Sequence, residues 1–205
     1  MDSKNHNISS ALSSRSVTNV SSLPSPSPYN DFPKRSEARV LIAGCGNSPL
    51  PFDMIEAGWT GGIVGIDFSS LVVNQMKNKG LRSKTVLDTA AAESKQPPEI
   101  LDFHCADVSQ SLPEYSDGSF DLILVKGTFD AILCSNGSRA NIMKFIQNCV
   151  RLLSSNHGVL FIITTGNPDN RLEYLEFQNE LTHYWRNVSV HPLRNSTTVG
   201  NSQPS

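Results

Sequence analysis

The 205-residue chain contains no apolar run near the roughly 18 residues of a membrane-spanning helix, so no such helix and no membrane partner is expected. It contains no CxxC pair. Cys45, Cys105, Cys134 and Cys149 are scattered, which excludes a zinc knuckle or a dithiol redox motif and leaves no metal site to expect. Three of the four sit in apolar or glycine-rich runs and read as reduced, buried small hydrophobes. Excess basic charge is missing as well. A net charge of −2 gives no electrostatic case for nucleic acid or an anionic surface. The N-terminus lacks the apolar core of a secretory leader, so the chain is expected in the cytoplasm and sequons such as Asn136-Gly137-Ser138 are expected bare. Its Ser-rich, acid-poor start resembles an organelle transit peptide, but few arginines and an early Asp2 argue against import. Charged residues make up only 18% and hydrophobic ones 38%, so part of the chain is expected to be unstructured.

That part is residues 1–37, rich in Ser, Asn and Pro, which cannot bury enough surface to offset their ordering entropy. A second polar tail covers 194–205, and one domain spans 38–193. Within it, strands and helices alternate. "RVLIAG" is a continuous apolar run, the mark of a strand covered on both faces. A helix follows over "SPLPFDMIEAGW", with Ser48 as candidate N-cap. "GGIVGIDFS" is a second buried strand, and "SSLVVNQMKNKG" a helix stopped by Gly80. Residues 81–98 read as a loop with room for a short helix. "EILDFHCADV" and "SFDLILVKG" are strands three and four. "SRANIMKFIQNCVRLLS" is a helix with Ile142, Phe145, Ile146, Cys149, Val150 and Leu153 inward. "GVLFIITTG" is strand five, "NRLEYLEFQNEL" a helix and "YWRNVSVHPL" a sixth strand. Such alternation implies right-handed crossovers and a Rossmann-like, doubly wound, mostly parallel α/β sheet. Ligands of such sheets bind at the carboxyl ends of the strands.

The polar features lie at those ends. Gly44-Cys45-Gly46-Asn47-Ser48-Pro49 opens like the dinucleotide fingerprint GxGxxG but lacks the third glycine. No GK[ST] follows, which excludes a phosphate-cradling P-loop. Asp67, 21 residues beyond Gly46, ends the second strand, where a carboxylate accepts both hydrogens of a ribose diol. Its competing role is the N-cap of the next helix, which Ser69 or Ser70 would fill equally well. Asp107 ends the third strand, placed to accept from an adenine amino group, with the Val108 N–H offered to a ring nitrogen. Gly-x-Gly, Asp and Asp describe a nucleoside site without a demand for pyrophosphate, which suits S-adenosylmethionine better than NAD.

"VLIAGCGNSPL", "GIDFSSLVVNQM", "ADV" and "FDLILVKGTFDAIL" resemble the class I, seven-strand methyltransferases. More narrowly they resemble the subgroup that methylates lysines of translation elongation factor one-alpha or of citrate synthase, through the GCGNS turn (Gly44–Ser48), the IDxS strand end (Ile66–Ser69) and the KGTxDA segment (Lys126–Ala131). The match runs from about Arg39 to about Leu193. The resemblance implies that Gly44 approaches the methionine part of S-adenosylmethionine, Asp67 holds the ribose with Phe68 against the adenine, and Asp107 and Val108 bind the adenine edge. Lys126 lines the cofactor site, and Asp130 faces the same rim, either steering a substrate cation or serving as a helix-start or turn acid. The partner it implies is a protein substrate, an elongation factor among the candidates. Because the sulfonium already activates the methyl group, such chemistry needs alignment rather than a catalytic base, and no catalytic residue is expected.

Three departures stand against the pattern. The aromatic-rich segment that opens the subgroup is replaced by "SLPSPSPYNDFPKRSEA"; the residue before Lys126 is Val125 where an acid is usual; and after "VSVHPL" only polar sequence remains, so the last strand of the fold is expected to be missing, leaving the ladder of strand five unpaired. A protein lysine methyltransferase is the leading expectation. A catalytically impaired binding module or truncated isoform of the same fold is the alternative, with a small-molecule methyltransferase behind it. An NAD-dependent oxidoreductase loses, because the fingerprint is incomplete and no Tyr-x-x-x-Lys dyad is present.

Overall fold

The computed structural model describes residues 31–87, 100–176 and 185–193. Five strands, β1 (Val40–Ala43), β2 (Ile63–Asp67), β3 (Leu101–Cys105), β4 (Leu122–Lys126) and β5 (Val159–Ile163), form one parallel sheet in the order β3-β2-β1-β4-β5. The helices are α1 (Leu50–Glu56), α2 (Ser70–Leu87), α3 (Thr128–Leu133), α4 (Ser138–Leu152) and α5 (Pro168–Glu176). The order reverses beside β1, which puts a switch point between β1 and β4.

The central strands are apolar throughout because both of their faces are covered. On β1, Leu41 and Ala43 join the core that contains Phe145, Ile146 and Leu152 of α4, while Val40 and Ile42 join the core that contains Met54 of α1 and Met76 of α2. β4 repeats the alternation, with Ile123 and Val125 on the first side and Leu122 and Leu124 on the second. Burial of these side chains stabilises each by about 1.5–3 kcal/mol before the ordering cost is counted.

Five expectations change. Gly80 does not stop α2, which runs on to Leu87. The backbone at Gly80 is not left-handed, and a glycine inside a helix costs only about 1 kcal/mol. Val73 and Met76 anchor the part of the helix that precedes it. α3 was not expected, because six residues are too few to carry a periodicity. No strand forms over residues 185–193; Val188 and Val190 alternate as a strand would, but both are exposed, and among the described residues no neighbour receives their ladder. Only two cysteines, Cys45 and Cys149, are buried, while Cys105 and Cys134 are exposed. On α4, Leu152 rather than Val150 is fully inward.

The N-terminal expectation is divided. Residues 1–30 lie outside the described residues, as do 194–205 and the end of the helix expected over "NRLEYLEFQNEL". Residues 31–37, however, are packed: the Phe32 ring stands edge-on to Trp59 and His157, and Arg35 lies over Trp59. At this amino end of the sheet Asp121, 4% exposed, receives the Arg39 backbone N–H (2.8 Å), the Arg39 guanidinium (3.1 and 3.2 Å) and His157 Nε2 (2.8 Å). β5 pairs with β4 alone among the described residues, and its Phe161 is 47% exposed.

Candidate functional site

At the opposite, carboxyl end of the sheet, β1 leaves its last buried residue and turns through Gly44 (φ 70°) and Gly46 (φ 56°), both left-handed. The turn is bonded to β2 on one side: the Gly44 and Cys45 N–H groups donate to the Ile66 carbonyl at 2.8 and 2.9 Å. The two glycines are required for different reasons. A Cβ on Gly44 would lie 2.0 Å from Oγ1 of Thr128, whereas one on Gly46 would meet nothing within 4 Å. Gly46 therefore faces open space. A hollow lies there, bordered by Gly44, Gly46, Asn47, Ser48, Leu50 and Lys126. Ser48 is not the N-cap of α1, a place taken by Pro49; from one residue further out its Oγ accepts the Leu50 N–H at 3.3 Å.

Asp67 is almost fully buried at the end of β2. Its Oδ2 accepts the Gly46 N–H (3.0 Å) and its Oδ1 the Ser69 N–H (2.9 Å). It thus braces the glycine turn and orients the start of α2. The N-cap itself is Ser69, whose Oγ accepts from the Val72 N–H at 3.4 Å. A carboxylate offers about four lone-pair sites, so two remain after these bonds. Asp107 is exposed, and its Oδ1 takes both the Ser109 N–H (2.8 Å) and hydroxyl (2.7 Å), an Asx turn that leaves Oδ2 without a partner among the described residues. Val108 is buried, Phe68 is 80% exposed beside Asp67, and Lys126 is exposed at the end of β4.

The donor set suits a neutral-to-cationic nucleoside ligand. Open backbone space lies at the first strand end, with half-committed carboxylates at the next two and an exposed aromatic between them. The three strand ends lie side by side by register: Ala43 beside Ile66, and Asp67 beside Cys105. The cysteine of the same turn is not a nucleophile. Burial, reinforced by the Asp67 charge, pushes the Cys45 thiol up to about 11, so it stays protonated at neutral pH and acts as an apolar plug.

Asp130 does not stand free on the rim. It accepts the Thr164 hydroxyl (2.5 Å), the Thr165 N–H (3.2 Å) and Arg171 Nη2 (2.8 Å). Burial raises its carboxyl, but these bonds and the Arg171 charge hold it below the usual carboxylate range. It is a tie from the first turn of α3 to the loop after β5 and to Arg171 of α5. Sequence reasoning missed a tie of another kind: Asp102 and His104 on β3, joined at 2.6 Å, with Tyr115 stacked on the imidazole and hydrogen-bonded to its Nδ1. The i, i+2 spacing of Asp102 and His104 on one face of a strand is the signal that points to it.

Comparison with known proteins agrees with this geometry. The methyltransferase domain family model matches residues 34–190. The citrate synthase-lysine N-methyltransferase CSKMT, mitochondrial, of Homo sapiens is 32% identical over 144 residues, 69% of this chain and 57% of that protein. The eEF1A lysine and N-terminal methyltransferase of Bos taurus is 36% identical over 95 residues, 46% of this chain and 11% of that protein. The protein-lysine N-methyltransferase EFM4 of Saccharomyces cerevisiae is 26% identical over 147 residues, 69% of this chain and 58% of that protein. The chain thus spans little more than half the length of the first of these. The match over residues 34–190, which takes in the glycine turn and the acids at the ends of the two neighbouring strands, places this chain in the methyltransferase domain family, with S-adenosylmethionine as the cofactor that membership implies.

Proposed function

We propose that the chain transfers a methyl group from S-adenosylmethionine to a lysine of a protein substrate. The observation that carries this is the convergence of the Gly44–Ser48 turn, Asp67, Asp107 and Lys126 on the carboxyl ends of four neighbouring strands. Three relatives that are named as lysine methyltransferases support the substrate class. All are named as methyltransferases, which leaves the alternative of a catalytically impaired binding module without support.

In this reading Asp67 uses its two remaining lone pairs on the ribose diol, while its bonds to Gly46 and Ser69 keep the carboxylate in place. Phe68 covers one face of the adenine, Asp107 Oδ2 accepts from its amino group and the Val108 N–H donates to the ring. Gly44 and Gly46 let the main chain approach the methionine part, with Lys126 toward its carboxylate. When bound, the cofactor supplies a methyl group already made electrophilic by its sulfonium. The residues of the chain align it and exclude water, and no proton relay is required of them.

Calorimetry with S-adenosylmethionine, followed by transfer of labelled methyl groups to recombinant elongation factor one-alpha and citrate synthase, tests this reading. Binding in the micromolar range and label in one substrate lysine are expected; absence of binding overturns it. Asp67→Ala is expected to weaken cofactor binding by about 1–3 kcal/mol, the cost of leaving a ligand's donors unpaired. An unchanged affinity in that calorimetric titration removes the ribose assignment. We place the chain in the cytosol; one relative's name carries the word mitochondrial, and a fluorescent fusion of the full chain decides between the two compartments.

A further inference from the structure

We propose that Thr128 is a positioning residue that sets the cofactor turn from the side opposite Asp67. The inference rests on the reading of that turn given above. Its hydroxyl proton is shared between two carbonyl oxygens, those of Ala43 at 2.9 Å and Gly44 at 3.2 Å. The N–H groups of the same turn point the other way: those of Gly44 and Cys45 go to Ile66 of β2, and that of Gly46 goes to Asp67. The turn is therefore gripped by its donors from β2 and by its acceptors from the start of α3. Two successive peptide planes with both edges bonded have no freedom to rotate, which fixes Gly44 at φ 70°.

The methyl group of Thr128 completes the grip. Its Cγ2 lies 2.7 Å from where a Cβ on Gly44 would be, so the side chain fills the space that glycine leaves. The bareness of Gly44 serves the threonine, and that of Gly46 serves the hollow. Thr128 is itself well anchored. Gly127 before it is left-handed (φ 77°) and donates its N–H to Ile163 of β5 at 3.0 Å. Phe129 after it is fully buried, edge-on to Phe145 and Tyr174. Asp130 ties the next turn to Thr164 and Arg171. Branching at Cβ restricts χ1 of Thr128, so the hydroxyl has few orientations to search before it finds its acceptors.

Thr128→Ser keeps the hydroxyl, and Thr128→Ala removes it; the pair isolates one oxygen atom. Two readouts apply: the Kd for S-adenosylmethionine by calorimetry, and amide hydrogen exchange of the peptide over Gly44–Ser48 in the ligand-free chain. Thr128→Ala is expected to raise Kd about tenfold and to speed exchange in that peptide by about as much, the effect of leaving two partly buried carbonyls without their shared donor. Thr128→Ser is expected to stay within about threefold of the natural chain in both. A residue with only a packing role would lower the melting temperature and speed exchange evenly across the domain, with serine no better than alanine. That pattern, or an unchanged exchange rate in the turn, overturns the proposal. If the natural chain binds no S-adenosylmethionine while Thr128→Ala still loosens the turn, the cofactor reading fails and the positioning role stands.

Discussion

Gly44→Ala is expected to destabilise the domain by about 3 kcal/mol or more. A side chain at a left-handed φ costs about 1–2 kcal/mol, and the new Cβ would in addition lie 2.0 Å from Oγ1 and 2.7 Å from Cγ2 of Thr128. Overpacking of this kind costs about 1–3 kcal/mol, and Thr128 cannot swing aside without breaking its bonds to two carbonyls. Thermal or urea unfolding of the purified chain measures the loss; for a domain of this size about 3 kcal/mol is a fall in Tm of about 6–12 °C. Gly46→Ala is the informative companion. Its φ is also left-handed, but open space surrounds the new methyl, so its cost in stability is about 1 kcal/mol while its methyl intrudes on the hollow. One glycine of the motif is thus expected to score in melting, the other in cofactor affinity. Equal melting temperatures for the two variants would contradict the steric argument.

The second large effect lies at the far end of the sheet. Asp121→Ala is expected to cost about 3 kcal/mol, because it leaves a backbone N–H, a guanidinium and an imidazole without their shared acceptor. Half of the Arg39 side chain is exposed, which keeps the figure at the low end for a buried pair. Asp121→Asn is expected to recover little, since its amide brings a donor against donors. The same site sets an acid limit. Burial raises the Asp121 carboxyl, but bonds from the Arg39 side chain and N–H and from His157 outweigh it and hold the group below the usual carboxylate range. A depressed folded value means the stabilisation is complete above the unfolded value of about 4 and is lost as pH falls through the folded one. Chemical denaturation as a function of pH should therefore show a steep acid limb for the natural chain and a flatter one for Asp121→Ala; parallel limbs would contradict the assignment.

The sequence carried the sheet well, because a strand covered on both faces has to be continuously apolar, and Val40–Ala43, Ile63–Asp67 and Leu122–Lys126 stand out for that reason. The acid at the end of the second strand was legible by its spacing from the glycines. Its bracing of Gly46 was not, since a bond across 21 residues leaves no local trace. Elements that depend on tertiary support were misread. Gly80 looked like a stop because a glycine after a periodic run commonly ends a helix, and a string of letters does not show that its backbone stays out of the left-handed region. Val188 and Val190 looked like a strand only because the alternation that marks a pleat says nothing of whether a neighbour exists to receive it. The segment Lys126–Ala131 was recognisable as a pattern, but the reason for its threonine required the distance to Gly44.

The ring chain at the amino end has a practical use. The Trp59 indole meets Phe32 at 6.3 Å, and Phe32 meets His157 at 6.3 Å, the same imidazole that bonds Asp121. A native fluorophore therefore sits two aromatic steps from the carboxylate that governs acid tolerance. With Trp185 replaced by phenylalanine, its emission maximum can register loosening of that pole, without any label introduced near the ligand hollow.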